Sequence, residues 1–372
     1  MSVEIELTSK RYHCHLKLNE KVTFICGDSG VGKTEFTRRL QSRTSANKVD
    51  VSNGFDIIVL TEERFMDMYH IAKRHINDLA YDAKTLKEYW SESNNFPYLD
   101  SIIVIDDEDF IKTEEFSQFY NADKYNYYIL IHRGHISNIG YSVNEVYNFR
   151  TNGKEHWLEK RYRADDFRTD KVDIVLTEGT GSDYLFFREL FAELKVLHTG
   201  YNSETSGGGR FEAIKVMERN RTEFEYQSLY PAVDFCAFGS NFEAFIETCT
   251  VLHINLCIDF SYLSFEYMLL KSNFIKDENL EEFVEKNKLK YISLESLFTE
   301  RLRSITKETL YSYSKSGQNF SVCYWMDCCS NKKYQSDLSC RWINKWRGKN
   351  KFVELLRNTI FEYFLKWSRQ IE

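Results

Sequence analysis

A glycine-rich segment near the amino terminus carries residue types that phosphate binding requires. It reads Gly27-Asp28-Ser29-Gly30-Val31-Gly32-Lys33-Thr34. Backbone N–H groups can surround an anion only where no side chain blocks the approach, which the glycines allow, and a helix amino terminus behind the loop favours negative charge. Lys33 is placed to reach the β- and γ-phosphates, and Thr34 to bind a magnesium ion through its hydroxyl. This segment, called the phosphate loop below, predicts a site for ATP or GTP with Mg²⁺.

An acidic turn follows the apolar run Ser101–Ile105. A nucleotide-hydrolysing site needs a carboxylate at the end of a neighbouring strand to hold the metal and its water shell. We expect Asp106 to be this acid, and Asp107 or Glu108 to orient the attacking water. A buried strand that ends in acidic turn residues is common, so the prediction depends on the phosphate loop.

Another apolar run, Tyr127–Ile131, is followed directly by His132. The opening strands and this strand-end histidine loosely resemble the nucleotide domains of the ABC class, which implies that His132 senses the γ-phosphate. The alternative is an ordinary polar residue at a strand end. The chain departs from that class because no LSGGQ-like signature lies between the phosphate loop and Asp106. The similar segment at 206–210 follows much later, and we interpret it as a loop.

A second candidate site begins with an apolar run that ends in Glu178, a glycine turn and then Asp183 at the start of a predicted helix. This pattern resembles the start of a Toprim domain, the metal-dependent fold of topoisomerases, primases and the overcoming-lysogenization-defect nucleases. The resemblance implies that Glu178 is a metal ligand or general base. It covers about residues 171–271.

Toprim domains place an Asp-x-Asp pair after a later strand. Here only Asp234 is present, and Cys236 occupies the second position. Glu266, near a predicted helix start, matches a further acid of related nucleases. The resemblance thus implies a Mg²⁺ or Mn²⁺ cluster, since several converging carboxylates are needed to hold such ions; its members are Glu178, Asp183, Asp234 and Glu266. The alternative from the residues alone is that Asp183 is a helix N-cap, Glu178 a strand-end surface acid and Asp234 a turn residue.

The carboxyl-terminal region combines cysteines with a basic, aromatic tail. The cysteines Cys323, Cys328, Cys329 and Cys340 are numerous enough to enclose zinc, but they lack paired Cys-x-x-Cys spacing and a nearby histidine, so we do not expect zinc. From residue 331 onward, ten Lys and Arg face four Asp and Glu, with Trp342 and Trp346 among them. This composition suits nucleic-acid binding through phosphates and base stacking; the alternative is a helix with a buried aromatic face.

Two α/β units are needed to position these residues. Apolar runs alternate with amphipathic stretches, which predicts a parallel sheet flanked by helices in each unit. We expect a nucleotide-binding domain at 1–150, a charged linker at 151–170, a Toprim-like domain at 171–310 and a helical tail at 311–372.

The bulk composition fits this plan. A length of 372 residues suits two domains, and 42% hydrophobic and 28% charged residues are globular values. No run approaches the roughly 20 apolar residues of a membrane helix, and the start of the chain does not resemble a signal peptide. We therefore expect a cytoplasmic protein without a membrane partner, with cysteines such as Cys26 and Cys257 as buried thiols. Homo-oligomers and protein partners stay open.

The order of the two units suggests a function. A phosphate-loop domain before a Toprim unit resembles the overcoming-lysogenization-defect ATPase-nucleases of phage defence, which implies an ATP-gated, metal-dependent nuclease acting on nucleic acid. One alternative is a nucleotide-dependent switch or interaction protein whose Toprim-like unit has lost catalysis. Another is a small-molecule kinase, although this leaves the second unit without a role.

Overall fold

The protein was analysed as a computed structural model, and the chain divides into two compact units. Unit 1 comprises Met1–Tyr162 and Glu281–Leu294, and unit 2 comprises Arg163–Leu280 and Glu295–Glu372. The structure describes residues 3–10, 12–27, 30–42, 47–77, 85–134, 136, 138–153, 155–167, 171–179, 182–190, 194–200, 210–271, 277–307 and 313–314.

The described residues form strands and helices in alternation. The strands are β1 (Val3–Ser9), β2 (Tyr12–Leu18), β3 (Val22–Cys26), β4 (Asn47–Val51), β5 (Asp56–Val59), β6 (Ser101–Ile105), β7 (Tyr127–Ile131), β8 (Val146–Thr151), β9 (Glu155–Lys160), β10 (Ile174–Thr177), β11 (Lys195–His198), β12 (Ser228–Ala232) and β13 (Asn255–Leu256). The helices are α1 (Lys33–Gln41), α2 (Glu62–Asn77), α3 (Leu86–Ser91), α4 (Glu108–Ile111), α5 (Glu114–Ala122), α6 (Ser182–Leu190), α7 (Arg210–Arg219), α8 (Arg221–Phe224), α9 (Gly239–Val251), α10 (Phe265–Lys271), α11 (Leu280–Asn287) and α12 (Leu294–Thr306).

The half of the unit 1 sheet that concerns nucleotide binding is parallel. Its strand order is β8-β3-β7-β6-β5, and each neighbouring pair runs in the same direction. Strands β3, β6 and β7 are buried along their whole length, which explains why they read as continuous apolar runs. Because parallel strands share a carboxyl edge, the phosphate loop, His132 and Asp106 all follow strands at that edge.

The other half of this sheet is mixed, in the order β4-β1-β2-β9-β8. Strand β1 pairs antiparallel with β2 and β4, and it alternates buried with exposed residues. The segment 151–170, expected to be a linker, contains strand β9, which pairs with β2 and β8. Glu155, Trp157 and Lys160 of this strand are exposed, and His156, Leu158 and Glu159 are partly buried, so a charge-rich segment here forms a strand of the sheet. The division between the units lies after it, between Tyr162 and Arg163.

Unit 2 contains a second sheet, with the described strands in the order β11-β10-β12-β13, all parallel. Strands β10 and β12 are wholly buried. The predicted α/β class is therefore confirmed. The tail at 311–372 and its cysteines, apart from positions 313–314, lie outside the described residues, as does the glycine segment at 206–209. Within the described chain, no helix is both long and apolar enough to cross a membrane.

A segment that is joined to unit 2 at both ends belongs to unit 1. The Lys288 ammonium, in Glu281–Leu294, donates a 2.6 Å hydrogen bond to the carbonyl oxygen of Asn19. The Tyr120 hydroxyl donates to the carbonyl oxygen of Ile292 at 3.1 Å, and Leu289 packs against the apolar cluster beneath α1. The chain therefore crosses between the units three times within its length.

A buried carboxyl group lies at the amino edge of β8. Glu145 is 3% exposed, and the hydroxyl of Tyr147 donates to it at 3.4 Å. Burial raises the pKa of Glu145 to about 7, with Lys160 partly opposing the shift. Burial also raises the pKa of the neighbouring Glu20, and Glu145 adds to that rise.

This group predicts a pH-dependent cost to folding. The folded-state pKa lies above the ordinary value near 4.5, so stability is highest at low pH and is lost as the pH rises from about 4.5 to 7. We expect Glu145→Gln to increase the free energy of unfolding by about 2 kcal/mol at pH 8 and to leave it nearly unchanged at pH 4, below both pKa values. Urea denaturation at both pH values measures this, with the exposed Glu63→Gln as control. An equal change at both pH values would contradict it.

Candidate nucleotide and acidic sites

The phosphate loop leaves the buried strand β3 and enters α1 at Lys33. Gly27, Gly30 and Gly32 have φ values of 148°, 86° and 101°, in the region that favours glycine. A Cβ atom on Gly27 would lie 3.3 Å from Val31 Cγ2 and 3.4 Å from the carbonyl oxygen of Phe149. The backbone conformation at Gly27 therefore favours glycine, and a side chain there would also be tightly packed. Asp28 and Ser29 lie outside the described residues.

The helix that follows the loop is held from its first turn. The Phe36 amide donates to the Gly32 carbonyl oxygen at 2.8 Å, and the Lys33 ammonium donates back to the carbonyl oxygen of Gly27. The ammonium thus lies across the loop. Thr34, the next residue, is exposed at the start of α1. An anion over the loop would meet this ammonium and the amino terminus of α1 together.

Asp106 is tied to α1. Its Oδ2 accepts a 3.3 Å hydrogen bond from the hydroxyl of Thr37, which also lies 3.2 Å from the carbonyl oxygen of Lys33. Asp106 itself is exposed, at the end of a fully buried strand. The sequence interpretation missed Thr37, although its place one helical turn after Lys33 would have put it on the same helix face.

The two acids after Asp106 differ in position. Asp107 is the N-cap of α4, and its Oδ1 accepts from the amide of Phe110 at 3.1 Å. Glu108 is the first residue of that helix. An N-cap carboxylate already satisfies a helix amide, so Asp107 has a structural partner that the sequence interpretation did not assign.

His132 follows β7, which lies between β3 and β6. Its backbone amide donates to the carbonyl oxygen of Ile25 at 3.0 Å, joining the end of β7 to β3. The ring is buried, and its Nδ1 accepts from the amide of Gly134 at 2.7 Å. His132 therefore stands between the strand of the phosphate loop and the strand of Asp106, with Nδ1 turned into its own loop.

The oxygen donors at this edge suit magnesium. Mg²⁺ prefers hard oxygen ligands, few of them from the protein, together with water and phosphate. The Asp106 carboxylate is exposed and fixed by Thr37, and the Thr34 hydroxyl is exposed. These two residues are the ones that would hold the ion.

The acidic edge of unit 2 is built on the ends of two neighbouring strands. Glu178 follows β10, and Asp234 lies two residues beyond β12. The Asp234 amide donates to Glu178 Oε2 at 3.2 Å. The Glu178 carbonyl oxygen accepts from the hydroxyl of Thr199 at 2.7 Å, which fixes the turn after β10.

Asp183 closes the same turn. Its Oδ2 accepts from the amide of Gly179 at 2.8 Å, from the second position of α6. A Cβ atom on Gly179 would lie 2.5 Å from Asp183 Oδ1. This carboxylate therefore has a structural role in the turn, close to the N-cap alternative drawn from the residues alone.

Glu266 is 3% exposed at the second position of α10. The hydroxyl of Tyr313 donates to its Oε1 at 2.5 Å. Burial raises the pKa of Tyr313, and Glu266, Asp234 and Asp183 raise it further. The same three carboxylates contribute to the raised pKa of Tyr262, after burial. Asp183, Asp234 and Glu266 therefore act electrostatically on the same two tyrosines, which the sequence interpretation did not identify.

The predicted acids of unit 2 are not arranged as a metal centre in the described structure. No group of three or more His, Cys, Asp and Glu side chains in the described part of the chain is arranged to hold a metal ion. Cys236, at the position of the second acid, is 1% exposed, and it is a buried thiol like Cys14, Cys26, Cys249 and Cys257. The predicted set converges on one edge without meeting as ligands.

The turn after β10 gives a steric prediction. Gly179→Ala places a methyl group against the Asp183 carboxylate, so we expect unit 2 to lose about 2 kcal/mol of stability. Asp183→Ala removes the obstacle, and the double variant should therefore be more stable than the sum of the two single changes indicates. Gly134→Ala is the control, because its methyl group would make ordinary contacts with His132, at 3.5 Å from Cε1 and 3.8 Å from Nδ1. Additive effects in urea denaturation would contradict this account of the turn.

Comparison with known proteins adds no relative: no protein-family model matches the chain, and no curated protein matches it significantly.

Proposed function

We propose that unit 1 binds Mg²⁺·ATP at the phosphate loop and hydrolyses it. The observation that carries this proposal is the run of three glycines with positive φ between a buried parallel strand and α1, next to Lys33. Lys33 would leave the Gly27 carbonyl for the β- and γ-phosphates, and Thr34 and Asp106 would hold the magnesium ion. A Mg²⁺ ion bound there would supply positive charge to offset that of the phosphates.

The hydrolytic water needs a proton acceptor beside the γ-phosphate. Asp107 accepts the hydrogen bond of a helix amide, so we assign the acceptor role to Glu108 at the start of α4. His132 lies on the intervening strand, where its ring would contact the γ-phosphate after leaving the Gly134 amide. Loss of the γ-phosphate would then change the loop after β7.

We further propose that the nucleotide state of unit 1 controls the acidic edge of unit 2, which acts on nucleic acid. The segment Glu281–Leu294 supports this coupling, because it packs within unit 1 while the residues that flank it, Leu280 and Glu295, belong to unit 2. The carboxylates at the acidic edge of unit 2 support a role in the metal-dependent chemistry of phosphate esters. The first candidate function is therefore an ATP-gated nuclease of phage defence.

A second candidate is a nucleotide-dependent switch without nuclease activity. Specific observations favour it: the described acids do not group as metal ligands, Cys236 stands where the pair requires an acid, and Asp183 is used by the turn. In this case unit 2 transmits the nucleotide state to a partner rather than cleaving nucleic acid.

One assay separates the two candidates. Plasmid, single-stranded DNA and tRNA are incubated with the protein and Mg²⁺ or Mn²⁺, with and without ATP, alongside Lys33→Ala and Glu178→Ala. ATP-stimulated cleavage that both substitutions abolish supports the nuclease. ATP hydrolysis without cleavage under any condition supports the switch. Cleavage that survives Glu178→Ala would overturn the assignment of the acidic edge.

A further inference from the structure

A stack of rings lies beside the phosphate loop. The His156 ring, on β9, lies 3.9 Å from the Tyr12 ring with 20° between their planes, and 5.6 Å from the Phe149 ring with 28° between planes. Phe149 in turn lies 5.6 Å from Phe36 of α1. His156 is therefore held between two aromatic neighbours rather than projecting freely from its strand.

The position of β9 brings this ring to the nucleotide edge. Strand β9 runs antiparallel to β8, and β8 runs parallel to β3, so β9 begins at the edge where β3 ends in the phosphate loop. His156 is its second residue. A Cβ atom on Gly32 would lie 3.4 Å from His156 Cε1 and 3.6 Å from His156 Nδ1. The imidazole thus borders the last glycine before Lys33.

One atom of this ring has no partner in the described structure. His156 Nδ1 is buried and makes no hydrogen bond with any described residue. A buried polar atom without a hydrogen bond is costly and calls for an explanation. Here the atom adjoins a loop whose conformation suits an anion, and the Arg39 guanidinium lies 4.7 Å from the Tyr12 ring on which His156 stacks.

The strand order places the candidate nucleotide-binding residues on opposite sides of β3. Asp106 and His132 follow β6 and β7 on one side, and His156 is on β9 beyond β8 on the other. With the metal and the γ-phosphate on the Asp106 side, the α-phosphate and ribose extend toward β8 and β9. We propose that His156 is a further nucleotide-binding residue, which donates a hydrogen bond from Nδ1 to the α-phosphate. This inference rests on the proposed ATP site.

Two substitutions separate the hydrogen bond from the stack. His156→Phe keeps a ring between Tyr12 and Phe149 but removes the nitrogen, whereas His156→Asn keeps a polar atom near the position of Nδ1. By calorimetry at pH 6.5, we expect ATP and ADP to bind about tenfold more weakly to His156→Phe, with an unchanged melting temperature, and His156→Asn to recover most of the affinity. His253→Phe, which alters a histidine stacked on Tyr226 at 5.0 Å, is the matched control.

Proton uptake provides a second readout that a packing role would not change. Burial, followed by Arg39, lowers the pKa of His156, and Glu35 opposes the shift; Tyr12 is the other titratable group against the ring. A bound phosphate would raise that pKa, so the protein should take up protons on binding near pH 6. Calorimetry in two buffers of different ionisation enthalpy should detect this uptake in the wild type and a smaller uptake in His156→Phe.

The outcomes distinguish this inference from the proposed function. If the wild type does not bind ATP, the proposed function fails. If the wild type binds ATP and Lys33→Ala does not, the ATP site is supported. If His156→Phe then matches the wild type in affinity and proton uptake, the role of His156 is overturned.

Discussion

Lys33→Ala should weaken ATP binding about a hundredfold and abolish ATP hydrolysis. The ammonium is the charged donor that lies across the phosphate loop, and hydrogen bonds between charged groups contribute more than neutral ones. Removing it leaves the backbone of the loop as the remaining phosphate donors. Equilibrium binding of Mg²⁺·ATP and steady-state phosphate release measure the two effects.

Lys48→Ala is the control for this change, because Lys48 is an exposed lysine on β4 that pairs with Asp50. It should bind and hydrolyse ATP like the wild type. Circular dichroism should show both variants folded. Wild-type affinity in folded Lys33→Ala would contradict a phosphate site at this loop.

Asp123→Ala should destabilise unit 1 by about 3–5 kcal/mol. Asp123 is 1% exposed, and its carboxylate accepts hydrogen bonds from the Tyr125 amide at 2.8 Å and the Tyr128 hydroxyl at 2.5 Å. Asn126 donates to both carboxylate oxygens. The substitution would leave these donors buried without an acceptor. Urea denaturation measures the loss in free energy of unfolding.

A buried lysine adds to this expected loss. Burial lowers the pKa of Lys21 to about 8, and Asp123 opposes the shift. The Lys21 ammonium donates a hydrogen bond to the backbone carbonyl oxygen of residue 123 at 2.5 Å, and this bond remains after the substitution. The substitution removes the carboxylate that opposes the charge of Lys21. Asp56→Ala, at the exposed start of β5, should change stability by less than about 0.5 kcal/mol. A similar small change in Asp123→Ala would show that the carboxylate is not needed to hold this cluster.

The sequence predicted the buried parallel strands well because their signal is local. The predicted bounds of β6 and β7 match the structure, since continuous apolar runs between polar turns allow few alternatives. Strand β9 was missed because its inward side chains are only partly buried and its charges dominate the composition. The place of Glu281–Leu294 in unit 1 depends on tertiary contacts of Lys288 and Leu289, which no local pattern reports.

For the candidate sites too, local sequence patterns predicted some features, and contacts between distant residues determined others. A spacing pattern can predict where the backbone needs glycine because that need is local. Gly27, Gly30 and Gly32 of the phosphate-loop pattern all have positive φ. Partners across the fold could not be read from spacing: Thr37 with Asp106 joins residues 69 positions apart, and Tyr313 with Glu266 joins residues 47 apart. The role of Asp183 in its turn was visible as an alternative, because an acid at a helix start is a common cap.

Amide hydrogen exchange with and without Mg²⁺ and a non-hydrolysable ATP analogue tests the central claim most directly. We expect slower exchange in the phosphate loop, in the first turn of α1 and at the end of β6 around Asp106, with exchange in Lys33→Ala unchanged by the analogue. Protection of β1 and β4 alone, or no protection of the loop at saturating analogue, would contradict a nucleotide site there.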